Sequence, residues 1–401
     1  MAARRKTTVG VIFGGRSVEH DVSIVTAQQI MNAFDKERYE VVAIYITRDG
    51  KWYSGEPLKD IENFKDSEII SYDGVDEVIL SPDVRHHGLI RNPLAGRFQK
   101  SDVLRLDVLF PAVHGSHGED GTLQGLFELA DIPYVGFATC GSALTNDKVL
   151  TKQILQQNDI PVVDGITFSR ADWLDNPDEI IARVEEKLSF PVFVKPATLG
   201  SSIGVSRADD AEFLRGSIDM AVNFDRRVLV ESAVMNGIEI NCSVMGYAND
   251  ITTSVLEQPL SWSDFLAFED KYLRGNEGMK SADRIIPAPL EDDLTDKIHD
   301  LSRKAFKAVD GRGIVRIDFL VKPDEGEVYL NEMNTMPGSL SFYLWRETDM
   351  TDSQVVDYLI KLARDAYADK RRNMYDYKTN LVAVAAGRGL KGSKGTKGSQ
   401  N

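Results

Sequence analysis

The chain has 401 residues, 42% hydrophobic and 27% charged, with 62 acidic against 47 basic side chains and a formal charge of −15. That length allows two or three domains with sizeable cores, and the acidic balance argues against a nucleic-acid surface. No segment approaches the run of about 20 apolar residues that a membrane span needs.

The N-terminal MAARRKTTVGVIFGG goes straight into a strand-like run without the apolar core of a signal peptide, so a cytoplasmic protein is expected. Cys140 and Cys242 stand in unrelated contexts, which excludes a disulfide framework or a zinc pattern. Both are expected to be buried small apolar residues.

Residues 7–140 alternate strands and helices, which argues an α/β unit built on a parallel sheet. TTVGVIF, VVAIYI (41–46) and RLDVLF (105–110) read as strands, and Ile24, Ala27, Met31 and Phe34 mark a helix by their spacing. The stretch 52–104 gives no clear signal. In IFGGRSVEHDVS, Glu19 falls in a first helical turn, where the helix dipole favours it; alternatively it faces a substrate ammonium. In FPAVHGSHGEDGTLQG, His114 lies in a glycine-rich loop after a parallel strand, where α/β sheets bind ligands. His117 reads as incidental, and Asp120 as a helix cap.

A helix over 142–157 leads into a second unit. There FPVFVKPATLGSSIGVS delivers Lys195 at a strand end, followed by Gly200, Ser201 and Ser202. Loop amides, two hydroxyls and a compact positive charge suit a phosphate, although an ordinary Gly-Ser turn looks similar. VLVESAVMNGIEI places Glu231 at one strand end and Glu239 at the start of the next, suited to an amino group and a pair of hydroxyls, or simply to solvent. The expected units are 1–141, 142–232 and 233–378, with a disordered Gly/Lys/Ser-rich tail over 379–401.

The third unit ends in GIVRIDFLVKPDEGEVYLNEMNTMPG. Two β-rich runs flank Pro323-Asp324-Glu325-Gly326, which predicts a hairpin. A turn centred on Glu325 sets Asp318 opposite Glu332 and Arg316 opposite Asn334, all on one face. Opposed side chains lie about 5 Å apart and like charges there are destabilising. Asp318, Glu332 and Asn334 therefore ask for a cation, and their hard oxygens suit Mg²⁺ better than zinc. A solvated polar face is the plain alternative.

In order, GGRSVEHDVS, HGSHGEDGTLQG, NDKVLTK, VKPATLGSSIGVS, EDKY, RIDF and NEMNTMPG resemble the D-alanine–D-alanine ligase branch of the ATP-grasp ligases, from about Val9 to Leu340. The resemblance implies an ATP-grasp fold behind an N-terminal parallel-sheet domain, ATP as phosphoryl donor, and two Mg²⁺ (or Mn²⁺) ions on Asp318, Glu332 and Asn334. It implies phosphate contacts from Lys148, Lys195, Gly200, Ser201 and Ser202, and adenine and ribose contacts from Glu231 and Glu239. Glu19 would hold the amine of the first D-alanine, His114 would lie near its carboxylate, and Arg316 near the reacting centre. Lys271 and Tyr272 would sit on a mobile loop closing over the nucleotide, with Ser201, Tyr272 and Glu19 hydrogen-bonded beneath it. A homodimer is also implied. One departure stands out. After Gly338 the run Ser339-Leu340-Ser341-Phe342-Tyr343-Leu344-Trp345 is bulkier and more apolar than the family pattern, so Ser339 or Ser341 would have to grip the second substrate.

Overall fold

The computed structural model describes residues 5–93, 102–260, 284–375 and 379–388. Three β-sheets follow one another along these residues. The first has seven strands: β1 (Thr7–Gly14), β2 (Tyr39–Ile46), β3 (Trp52–Gly55), β4 (Val75–Leu80), β5 (Gly88–Arg91), β6 (Asp102–Arg105) and β7 (Val108–Pro111). Their order is β6-β5-β4-β3-β2-β1-β7. β1 runs parallel to both β2 and β7, as the strand–helix alternation predicts. From β2 outward the pairing is antiparallel. The stretch 52–104 builds this extension from strands of four to six residues and single 3₁₀ turns. Such short elements leave no period for a sequence reading to register.

α1 (His20–Ala33) and α2 (Thr122–Ala130) follow β1 and β7. β1 is buried at every position but its first, because both sheet faces are covered. Val9, Val11 and Phe13 join the core under α1, whereas Ile12 joins Leu123 and Phe127 of α2.

The expected helix over 142–157 is two helices, α3 (Thr139–Asn146) and α4 (Lys148–Gln157). Asp147 breaks it by taking an extended conformation (φ −95°, ψ 103°) and capping the amides of Val149 and Leu150. Cys242 is buried, but Cys140 is exposed on the outer side of α3, contrary to expectation.

The second sheet, order β10-β9-β11-β8, comprises β8 (Gly165–Ser169), β9 (Val192–Pro196), β10 (Ser206–Ala208) and β11 (Arg227–Ser232). It packs on α5 (Arg170–Asp175), α6 (Pro177–Lys187) and α7 (Ala211–Phe224). The third, order β14-β13-β12-β15-β16, comprises β12 (Ile238–Tyr247), β13 (Asp250–Pro259), β14 (Arg284–Ile285), β15 (Arg312–Lys322) and β16 (Glu327–Asn334). α8 (Asp292–Ala308) packs on this sheet through Leu294, Ile298, Ala305 and Phe306.

α9 (Phe342–Arg346) and α10 (Asp352–Lys370) return to the first sheet. Val355, Leu359 and Ile360 of α10 share one core with Val9, Phe13 and Phe110, and with Met245 and Ile314 of the third sheet. The end of the chain thereby ties the first and third sheets together. The tail expected to be disordered from 379 begins with α11 (Leu381–Arg388), whose Leu and Ala residues favour helix. No helix among the described residues is long and apolar enough to cross a membrane.

Candidate active site

A cleft where the three sheets meet is lined by Gly115 and Glu119, by Lys148 and Gly200, and by Glu332 and Asn334. On the hairpin β15–β16, Asp318 pairs with Glu332 and Arg316 with Asn334. The turn is not centred where the simple reading puts it, because Lys322 pairs with Glu327 and Phe319 with Leu330. Asn331 is an unpaired bulge, and this extra residue brings Glu332 opposite Asp318.

Arg316 grips Asp318 with two bonds of 2.7 Å, from Nε and Nη2, and Asn334 Nδ2 donates to Asp318 at 2.9 Å. Burial works against the Arg316 charge, but Asp318 outweighs it and holds the guanidinium pKa well above its ordinary value. A carboxylate has about four lone-pair sites, so Asp318 can serve both Arg316 and a cation. No group of three His, Cys, Asp or Glu side chains suited to a metal occurs among the described residues. The candidate set here is two carboxylates and an amide, a hard-oxygen set that fits Mg²⁺.

Beside the hairpin lies a buried ion cluster. Glu231, 1% exposed, takes Lys152 on one carboxylate oxygen and Lys195 on the other, the latter at 2.6 Å. Burial pushes against the Glu231 charge, but the two lysines bring its pKa down to about 2. Lys195 also donates to Asn331 Oδ1 at 3.2 Å, so the bulge meets the end of β9. Burial lowers the pKa of Lys152 despite its partner. The sequence reading overlooked Lys152, although it lies four residues after Lys148 in NDKVLTK and so on the same helix face. Lys148 Nζ donates to Leu199 O at 2.6 Å, holding the loop that carries Gly200. In that loop Ser201 and Ser202 both adopt left-handed conformations (φ 52° and 58°). Thr198 anchors it to Asp225 through two bonds of 2.8 Å. Glu239 begins β12 opposite Leu320 and is half-buried.

Ser201 Oγ donates to the Glu19 carboxylate, which is 8% exposed at the start of α1. Gly115 leaves room for it, since a Cβ there would lie 2.4 Å from Glu19 Oε2. A second carboxylate, Glu119, also went unassigned in the sequence reading. It accepts the amides of Gly115 and Met336, each at 2.8 Å, and so links the first sheet to the end of β16. Burial and the neighbouring Glu19 push its pKa up to about 8. His114, 4% exposed, shares a 2.9 Å hydrogen bond between Nε2 and Thr26 Oγ1. Burial lowers its pKa to about 4. Thr26 Oγ1 also accepts the Ser339 amide at 3.3 Å.

Ser339, Leu340 and Ser341 are three consecutive left-handed residues (φ 51°, 49° and 49°), each costing about 1–3 kcal/mol. Complete burial of Leu340 offsets roughly 1.5–3 kcal/mol of that. Ser341 is also completely buried, with no hydrogen-bond partner for its hydroxyl among the described residues. Gly338 opens this turn, and Lys271 and Tyr272 lie outside the described residues.

Family models described as D-ala D-ala ligase N-terminus and D-ala D-ala ligase C-terminus match residues 8–137 and 154–361. The chain belongs to the D-alanine–D-alanine ligase family. It is 39% identical over 380 residues to the D-alanine–D-alanine ligase of Thermosipho melanesiensis, covering 95% of this chain and 99% of that one. The structure resembles that of VanG D-Ala:D-Ser ligase from Enterococcus faecalis, with a TM-score of 0.77 and 30% identity over 90% of this chain and 100% of that one. It also resembles the D-alanine–D-alanine ligase of Coxiella burnetii, with a TM-score of 0.76 and 27% identity over 96% of this chain and 99% of that one. The fold is accordingly the ATP-grasp fold.

Proposed function

We propose that this protein joins two D-alanines at the expense of ATP, supplying a dipeptide for peptidoglycan precursors. The observation that carries the reading is one cleft lined by Glu332 and Asn334 of the hairpin, by Lys148 and the Gly200 loop, and by Glu119, with Asp318 and Arg316 paired to the first two. A carboxylate resists amines because oxide is its leaving group. Transfer of the terminal phosphoryl of ATP to the first D-alanine makes an acyl phosphate, and the second amine then displaces phosphate.

Lys148, Lys195, Gly200, Ser201 and Ser202 bind and orient the phosphates, with Lys152 and Glu231 fixing Lys195 from behind. Glu231 and Glu239 mark the adenine and ribose end. Glu19 and Glu119 lie close enough to repel, and the ammonium of the first D-alanine between them relieves that repulsion. Asp318, Glu332 and Asn334 hold Mg²⁺, which when bound neutralises charge on the transferring phosphoryl group. Arg316 stabilises the oxyanion formed as the amine attacks. Exclusion of water from the cleft protects the acyl phosphate. A soluble homodimer in the cytoplasm fits this role, and light scattering tests the assembly.

Purified protein with ATP, Mg²⁺ and D-alanine should release phosphate and D-alanyl-D-alanine in equal amounts. If neither appears, the reading fails. The VanG likeness motivates offering D-serine and D-lactate as acceptors with products identified by mass. An exclusive preference for one of those would replace D-alanine as the second substrate.

A further inference from the structure

Across the third sheet, Glu332, Asp318, Asn241 and Glu257 form one row, each paired with the next. The Glu332 end adjoins the lysines. The other end is unassigned by the reaction described above. Glu257 is 2% exposed and accepts three donors: Asn241 Nδ2 at 3.2 Å, Arg284 Nη1 at 3.2 Å and the Tyr343 hydroxyl. The Arg284 guanidinium lies 4.2 Å from the centre of the Tyr343 ring, within cation–π range. The ring is therefore fixed both at its hydroxyl and across its face.

Between Leu340 and Trp345, Tyr343 is the one side chain that is not buried. Arg316 lies within the electrostatic reach of both Tyr343 and Glu257. The neighbouring Trp345 is fully buried and donates from Nε1 to Ser243 Oγ at 3.0 Å, and Ser243 pairs with Arg316 across the sheet. Ser341, the alternative partner for an incoming amino acid, is fully buried, and the Ser339 amide is engaged with Thr26.

Resting on the ligase reading, we propose that Tyr343, clamped by Glu257 and Arg284, is the wall of the pocket for the attacking amino acid and restricts it to a small side chain. Its hydroxyl is committed to Glu257, so the surface offered to the acceptor is aromatic and rigid. A rigid apolar wall rejects an extra methylene by roughly 10–200-fold. Glu257 and Arg284 act through Tyr343 and are positioning residues.

The test is competition between D-alanine and D-2-aminobutyrate as acceptor, with both dipeptides quantified by mass. The wild type should favour D-alanyl-D-alanine. Tyr343→Phe, which removes only the hydroxyl, should raise the share of the aminobutyrate product about tenfold, the scale of one lost hydrogen bond. Glu257→Gln should shift it in the same direction, and the double variant should go no further than the larger single effect. The ATP KM and the thermal midpoint should stay near wild type in Tyr343→Phe. Unchanged product ratios in both single variants would overturn the proposal, as would an ATP KM that rises in step with any change. If the wild type makes no dipeptide, the ligase reading fails first and this inference falls with it. A wild type that works beside unaltered variants removes the inference alone.

Discussion

Asp318 faces Glu332 across the hairpin because Asn331 is bulged out of β16 between that pair and the turn. The same bulged residue receives Lys195, so one irregularity sets both the carboxylate pair and a phosphate-binding candidate. In a regular hairpin closed by the observed turn, Asp318 would oppose Asn331, and Glu332 would face the other side.

Glu332→Gln should lower Mg²⁺-dependent turnover about 100-fold or more, equivalent to roughly 3 kcal/mol of transition-state stabilisation. The exchange relieves the repulsion between the opposed carboxylates and also removes the attraction of Lys152 for Glu332, so the metal-free thermal midpoint should stay near wild type. The midpoint gain produced by adding Mg²⁺ should shrink. Near-normal turnover would remove Glu332 from the metal set.

Glu231→Gln leaves Lys152 and Lys195 facing each other across a buried neutral group. Breaking a buried, paired charge of this kind costs about 3–5 kcal/mol, which denaturant unfolding would report. A rise in ATP KM should accompany the loss, because Lys195 is no longer fixed. An unchanged denaturation midpoint would show that the cluster contributes nothing net.

His114 carries a pH dependence of stability with a definite sign. Its pKa lies at about 4 in the fold, below the ordinary 6.5 of an exposed histidine. Above pH 6.5 both states are neutral and the group is silent. As pH falls from 6.5 towards 4 the unfolded chain takes up a proton that the folded one refuses, and stability drops by roughly 3 kcal/mol. His114→Asn should flatten unfolding free energy against pH over that window. An unaltered slope would mean that the imidazole is not held neutral.

Thr26→Val keeps the shape of the side chain but removes the oxygen shared by His114 and the Ser339 amide. Taking this oxygen away from the buried His114 imidazole should cost about 1–3 kcal/mol of stability. The KM for the first D-alanine should rise while that for ATP stays constant. An ATP KM that rises equally would argue that Thr26 does not act through the D-alanine side of the cleft.

Much of this molecule is written in short-range pattern. Alternation in β15 and β16, the glycine-rich loops at 115–121 and 198–204, and the spacing of the α1 apolar residues each follow from local chemistry. So do the acidic composition and the family motifs. What the sequence could not decide is what depends on distant partners. Nothing near Glu231 announces that its charge is balanced by Lys152 and Lys195, nor does anything near Glu119 announce a bond to Met336. The short strands between 52 and 105 are held by neighbours rather than by propensity, and α10 finds its core against β1, some 350 residues earlier in the chain. Local pattern fixes which face a side chain takes. Burial, which sets charge state and partner, exists only once the remote segments have packed.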